Sequence, residues 1–248
     1  MDLCERGQMT PEEELGHWWI RTRFEYLERC LRPFTVPIGV LEVGCGTAQN
    51  LRYLRERSTL SSMLARLVGL EPGIADDVSR EPWMSPDDAI YRSADAIPGS
   101  FDVLVAMDVI EHLDDDLESL KQWLGLLKPG GSVLISVPAF SWLWSRHDVA
   151  LGHKRRYTKA SLERLVQSAG LEIESLTYAF GFLVPPAYLM RKLLPEKRDE
   201  GQGTALRLPH PIVNALLYGA GRLEAVFGGN PIAGTSVVGY FHTPGAVS

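Results

Sequence analysis

From Val40 to Val137 the chain alternates short apolar runs with amphipathic stretches, the pattern of buried strands covered by helices. The first run, VLEVGCGTAQN over Val40–Asn50, passes through Glu42 into Gly44-Cys45-Gly46-Thr47 and then a helix-compatible segment. Ala65–Leu70 is a second run ending at Glu71, and a short strand is predicted around Ala89–Tyr91. Phe101–Met107 (FDVLVAM) is an apolar run broken only by Asp102 near its start, as a strand buried on both faces should be. Asp114–Leu127 reads as a helix with an acidic start that suits the macrodipole, stopped by Lys128-Pro129-Gly130-Gly131. Ser132–Val137 is the next strand, Thr158 caps a helix over Lys159–Ala169, and Thr235–His242 is the last strand.

The strand, glycine turn and helix start at Gly44–Thr47 form a ligand loop at the carboxyl end of a parallel strand, where open α/β sheets bind ligands. Two glycines let a ligand press against the backbone, because no Cβ intervenes. Gln49 occupies the third position of a G-x-G-x-x-G dinucleotide fingerprint, and no Gly-Lys-Ser/Thr follows as in a P-loop. Glu71 lies about 20–25 residues beyond the loop, at a strand end, where a carboxylate can accept hydrogen bonds from two ribose hydroxyls.

The pattern E-x-G-x-G-T, followed in order by these pieces, resembles motif I and its sequel in the class I S-adenosylmethionine-dependent methyltransferases. The LKPGG turn and the strand after it resemble the region following motif III. The resemblance implies a Rossmann-like α/β fold: a seven-stranded, mostly parallel sheet with an antiparallel last strand and a helical cap. It implies S-adenosylmethionine as donor, S-adenosylhomocysteine as product, and a donor site built from Trp18, Glu42, Gly44, Cys45, Gly46, Glu71, Asp95, Ala96, Met107, Asp108 and His112. In the family an acid at the position of Asp95 accepts from the adenine amino group, and the next backbone N–H, here Ala96, donates to the ring. Cys45 reads as a small residue tolerated in the turn.

With 248 residues and 45% hydrophobic content the chain suits one globular domain with a large core. A net charge of −6 argues against general nucleic-acid binding. Three cysteines, Cys4, Cys30 and Cys45, do not make a disulfide framework. The apolar stretch near Phe180–Met190 contains two prolines and is shorter than the roughly 20 residues of a membrane span. The expected location is the cytoplasm.

Two segments decorate the expected domain. Residues 1–36 form an N-terminal arm with a helix over Pro11–Arg32, and residues 181–232 form a helical insertion, with a loop expected from Pro195 to Pro211. The arm's His17-Trp18-Trp19-Ile20-Arg21 resembles the H-W-W-F-R arm of a bacterial methyltransferase subgroup, often found with glycan or secondary-metabolite pathways. Adjacent tryptophans cannot share one helix face. One is expected to pack on the core while the other covers the ligand, unless both pack at the domain edge.

Ser136–Thr158 leaves the fifth strand at the donor edge and concentrates His147, Asp148, His153, Lys154, Arg155, Arg156 and Tyr157. A neutral histidine suits removal of an acceptor proton, which makes His147 and His153 candidate bases, with Asp148 orienting a histidine or binding a substrate hydroxyl. Trp142, Trp144, Arg155, Arg156 and Tyr157 are candidate substrate contacts. Lys154–Arg156 either bind a phosphate or carboxylate or pair with Asp114–Asp116. Asp108, Glu111, His112 and His153 resemble the Glu-x-x-Glu-His plus distant His metal set of small-RNA 2′-O-methyltransferases. The shorter Asp108 departs from that pattern, and no metal is expected. The acceptor is expected to be a small or medium-sized metabolite methylated on oxygen, with N- or C-methylation, a non-catalytic binding subunit and an NAD-dependent oxidoreductase as alternatives.

Overall fold

The apolar runs form the interior strands of a single sheet. The computed structural model describes residues 9–74, 81–193 and 208–245. Its strands are β1 (Ile38–Val43), β2 (Leu64–Leu70), β3 (Ala89–Tyr91), β4 (Phe101–Met107), β5 (Leu127–Pro138), β6 (Glu172–Ala179) and β7 (Ser236–His242), in the order 3-2-1-4-5-7-6. β1 to β5 pair in parallel, and β7 lies antiparallel between β5 and β6, as expected of this fold. Alternation along the strands fills two cores. Val40, Val103, Val105 and Leu134 face one side, and Leu41, Leu104, Ala106 and Ile135 the other. From β1 the chain builds outward to β2 on one side and β4 on the other. That reversal opens a crevice beyond the carboxyl ends of β1 and β4.

The helices are α1 (Pro11–Gly16), α2 (Trp18–Leu31), α3 (Gln49–Glu56), α4 (Asp116–Leu124), α5 (Arg146–Ala150), α6 (Lys159–Ser168), α7 (Val184–Leu193) and α8 (Pro211–Val226). α2 and α3 cover the first core through Phe24, Leu27, Leu51 and Leu54, while Leu120 and Trp123 of α4 and Leu162 and Val166 of α6 cover the second. Thr158 caps α6 as expected, accepting from the Ser161 N–H at 3.1 Å.

Three expectations are corrected. The helix placed over Asp114–Leu127 runs only from Asp116 to Leu124, because Asp115 acts as the N-cap and accepts from the Glu118 N–H. The LKPGG segment does not precede the next strand; it lies inside β5, where pairing steps from Phe101↔Leu127 to Val103↔Ser132 and Gly130 takes φ +74°. The arm is two helices rather than one. His17 breaks it with an extended backbone, and its ring nitrogen accepts from the Trp19 N–H. The loop expected over Pro195–Pro211 lies outside the described residues except for 208–211. Among the described residues, no helix is long and apolar enough to cross a membrane.

α8 holds the arm in place. Asn214 accepts from the Trp18 N–H at 2.9 Å and donates to the Gly16 carbonyl at 3.0 Å. Gly221 meets Thr22 so closely that a Cβ would stand 2.5 Å from its Oγ1, and Arg21 lies over the Tyr218 ring. Asn214→Ala removes both bonds across the arm's break. It is expected to cost about 1–3 kcal/mol, read as a lower denaturant midpoint at unchanged slope.

Candidate functional site

At the end of β1 the backbone turns through Gly44 (φ +62°) and Gly46 (φ +54°), and Ala48 enters α3 in the left-handed region. A Cβ on Gly44 would stand 2.5 Å from the Val109 side chain, so the turn requires glycine. Glu71, just past β2, accepts from the Gly46 N–H at 2.9 Å and the Gly73 N–H at 3.1 Å, which aims its carboxylate across the loop. Glu42 is buried behind the loop. Asn50 donates to one of its oxygens and the other has no partner. Burial pushes the Glu42 carboxyl up to about 7, the Asn50 bond opposing it. Cys45 is buried against Gly69, and burial raises its thiol well above the ordinary value, so it packs rather than reacts. Asp95 and Ala96 sit exposed on the turn after β3 and are not part of the cleft wall.

From this loop a cleft of about 560 Å³ runs along the sheet's carboxyl edge. Gly44, Gly46, Glu71, Met107 and Asp108 line one end, and Glu111, His112, His147 and His153 the other. The arm and α7 cover it with Trp18, Trp19, Leu183 and Ala187. Both tryptophans therefore reach the cleft. Trp18 meets Phe180 and Phe182 edge-on, and Trp19 stacks on Phe180. The sequence offered only one of the two tryptophans to the ligand and did not point to Arg23. Arg23 is almost fully buried, donates to the Met107 carbonyl, lies 3.0 Å from Asp108 and has its Nε without a partner. A cation on the same helix stripe as Ile20, Phe24 and Leu27 was the available signal.

At the far end Asp148 is wholly buried. It accepts from Arg156 at 2.7 and 2.9 Å, from the Ser145 N–H at 2.7 Å and its hydroxyl at 3.0 Å, and pairs with His153 Nδ1 at 2.9 Å. Burial alone would raise this carboxyl, but the bonds from His153 and Arg156 outweigh it and hold it well below the ordinary range. An ionised carboxylate only accepts, so His153 Nδ1 carries the hydrogen and Nε2 is the basic atom of the neutral ring. Asp148 thus has no capacity left for a substrate hydroxyl; of its two expected roles, the geometry leaves the orienting one.

Glu111 is fully buried in the cleft floor and neither of its oxygens has a partner. Its carboxyl is pushed well up, first by burial and then by the charge of Asp108. His112 and His153 meet edge-on at 4.7 Å. Glu111, His112 and His153 each offer a ligand atom, all within 4.8 Å of one another. Asp108, the fourth residue of the sequence-derived set, is not in that group and pairs with Arg23.

The expected substrate contacts divide. Trp142 and Trp144 are exposed outside the cleft wall, with Trp142 packed on Phe140 and Tyr188. Arg156 reaches the cleft but is committed to Asp148 and the Ala139 carbonyl. Arg155 pairs with Asp116, and buried Tyr157 donates to the same carboxylate at 2.7 Å, both turned away from the cleft. Lys154 pairs with Asp114. Lys154 and Arg155 therefore pair with the acids at the start of α4, and Arg156 with Asp148.

A family model described as a methyltransferase domain matches residues 15–176. A Mycolicibacterium smegmatis protein described as an S-adenosylmethionine-dependent methyltransferase is 28% identical over 169 residues, covering 66% of this chain and 63% of that protein, just under two thirds of its length. The ubiquinone biosynthesis O-methyltransferase of Xanthomonas axonopodis pv. citri is 31% identical over 186 residues, covering 66% of this chain and 73% of its own. Among solved structures, phosphoethanolamine N-methyltransferase 2 of Haemonchus contortus, in complex with S-adenosyl-L-methionine, shares the fold at a TM-score of 0.54 and 14% identity, covering 97% of this chain and 59% of that one.

Asp148→Ala should leave the Arg156 guanidinium buried without its partner and cost about 3–5 kcal/mol in a denaturant titration at neutral pH. The native carboxyl sits below its ordinary value of 3.8. Its stabilisation is therefore present above that pH and lost as pH falls through the lower native value. The variant's stability should fall less steeply in that acid range than wild type's.

Proposed function

We propose that this chain, which belongs to the methyltransferase-domain family matched over residues 15–176, transfers a methyl group from S-adenosylmethionine to an oxygen of a small or medium-sized metabolite, in natural-product or glycan biosynthesis. The observation that carries this reading is the continuous cleft, which joins the glycine loop and Glu71 at one end to Glu111, His112, His147 and His153 at the other. The relatives named as ubiquinone biosynthesis O-methyltransferases favour oxygen as the acceptor atom. The mixture of apolar cap residues and a polar floor suits an acceptor with an apolar body and a hydroxyl.

When bound, S-adenosylmethionine would supply a sulfonium methyl carbon open to in-line attack by an acceptor oxygen, the carbon–sulfur electron pair leaving with the thioether sulfur. Glu71 would hold the ribose hydroxyls, and Asp95 with Ala96 the adenine. Gly44 and Gly46 leave the backbone open to the donor, and Arg23, which lines the cleft and has its Nε without a hydrogen-bond partner, would bind the donor's carboxylate. His153, its tautomer set by Asp148, would take the acceptor proton at Nε2, with His147 as the second candidate base. Trp18, Trp19 and Leu183 would exclude water from the transfer.

A metal-assisted variant of the same reaction is favoured by Glu111. A buried carboxylate with two unpartnered oxygens beside two histidines suits a divalent cation, and Asp148 supplies the carboxylate that typically backs a metal-bound histidine. Glu111, His112 and His153 would hold the ion, whose chemistry would be to lower the pKa of an acceptor hydroxyl.

Glu71→Ala should cost about 1.5–3 kcal/mol of donor binding, roughly 10- to 150-fold by calorimetry. An affinity within twofold of wild type removes Glu71 from the ribose role, and tighter binding of NAD than of S-adenosylmethionine overturns the donor.

Incubation with methyl-labelled donor and a panel of hydroxylated, largely apolar metabolites should label at least one of them. On that acceptor, His153→Ala is expected to lose about 10²–10⁴-fold in turnover while keeping donor affinity. Loss of activity in chelator with rescue by a divalent ion, together with calorimetric ion binding abolished in Glu111→Gln, selects the metal-assisted variant. Chelator resistance with no ion binding selects the histidine base.

A further inference from the structure

The outward face of α8 is almost without charge. Ile212, Leu216, Leu223 and Phe227 are 65%, 70%, 61% and 80% exposed, although all are large and apolar. Arg222 is the single charged side chain among the outward positions of this helix. Exposed apolar residues scattered singly need no explanation, but this row runs 15 residues along one helix, about 22 Å at 1.5 Å per residue. The opposite face of α8 is used up on the arm, through Asn214, Tyr218 and Gly221.

The order of side chains in the row is symmetric about the point between Gly219 and Ala220. Leu216 and Leu223 stand at equal distances from that point. So do Val213 and Val226, and, further out, Ile212 and Phe227. A helix laid antiparallel on an identical copy about a two-fold axis through that point would set Leu216 of one copy on Leu223 of the other and Ile212 of one on Phe227 of the other. The two small residues would fall where the helices cross, and Gly219 has nothing within 4 Å of where a Cβ would be. In a two-fold interface residue i meets residue j and j meets i, so here each pairing sets an apolar side chain on an apolar one. Antiparallel alignment also opposes the two macrodipoles favourably. A groove lined by Glu25, Arg29, Arg32 and Gly228 opens beside Phe227, at the end where Pro211 and Ile212 of the second copy would arrive. A lipid surface fits less well, since an interfacial helix carries several cations along its polar flanks, and here there is one on a chain of net charge −6.

We propose that the outward face of α8 is the interface of a two-fold homodimer, its occupant the α8 of a second copy of this chain. The proposal is independent of the methyl-transfer reading. It has one consequence for the cleft: the helix that holds Trp18 and the arm's break through Asn214 would be braced from behind by its partner.

Sedimentation velocity on the full chain across a concentration series tests it. Wild type should form a species of twice the 27.5 kDa chain mass, and Leu216→Glu/Leu223→Glu should remain a monomer with a thermal midpoint near wild type, because both positions are exposed. Ala220→Cys, made with Cys4→Ser, should form an intermolecular disulfide under mild oxidation, because a residue beside the axis lies close to its own copy. Wild type that is monomeric at every concentration overturns the proposal. So does a dimer that the double glutamate variant leaves intact. Monomers that co-sediment with phosphatidylcholine–phosphatidylglycerol vesicles, and lose that binding in the same variant, overturn it in favour of a membrane surface.

Discussion

The close approach of Val109 to Gly44 governs the rest of the molecule's working edge. β1 and β4 are neighbours in the sheet, and the loops that leave their carboxyl ends must separate to form a crevice yet remain in contact to close its floor. Contact is made where Gly44 lacks a Cβ and Val109 fills the space. Two residues of positive φ adjoin this contact. Gly44 takes a positive φ, and so does Asp108, a conformation that costs a non-glycine residue free energy and persists only where its surroundings hold it. Asp108 is held by Arg23 from the arm and by the Ser136 hydroxyl at the end of β5. The crevice is thus built from four separate elements that meet at one strained residue.

Two buried carboxylates lie at the far end of the cleft and illustrate opposite solutions to the same problem. A buried charge is tolerated when it is saturated with donors and is otherwise driven toward the neutral form. Asp148 is saturated, and it converts Arg156, Ser145 and His153 into one rigid unit. Glu111 has no donor at all for its side chain, while its backbone carbonyl accepts from Lys154. A protein that can satisfy Asp148 with five bonds has not run short of donors nearby. The unsatisfied state of Glu111 is therefore a property of the site itself, and it is the physical basis for expecting a proton or a cation there.

The sheet was legible because its strands are buried on both faces, so that Phe101–Met107 and Val40–Val43 announce themselves as apolar runs interrupted only by Asp102 and Glu42. The glycine turn was legible because Gly44 and Gly46 answer a backbone demand. The boundaries that failed did so where a local side-chain bond competes with periodicity. Asp115 moved the start of α4, and His17 divided the arm. The LKPGG run was misplaced because its turn residues lie inside a pairing irregularity of β5, which has no periodic signature. Arg155 and Tyr157 could not be separated from Arg156 by sequence, since adjacent residues leave a loop in different directions and only the position of Asp116 decides which turns away. Arg23 was visible in principle as a cation on an apolar stripe, although only the position of Asp108 gives that cation a partner.

The cleft's two ends rest on different supports. The donor end is made by strand termini, whose positions are set by backbone pairing across the sheet and tolerate little variation. The other end is walled by Trp18, Trp19, Leu183 and Ala187, which lie on the arm and on the segment that follows β6 and are held together by side chains: Asn214 to the arm, Glu224 to the Gly181 N–H, and Phe180 to both tryptophans. Side-chain attachments can change one residue at a time without disturbing strand pairing. Family membership and shared fold therefore bear strongly on the donor end and weakly on the acceptor end. The chemistry of the acceptor has to be read from this chain's own wall: apolar and aromatic above, Glu111 and the histidines below. That combination is the reason the proposed acceptor is a hydroxyl on an otherwise apolar molecule.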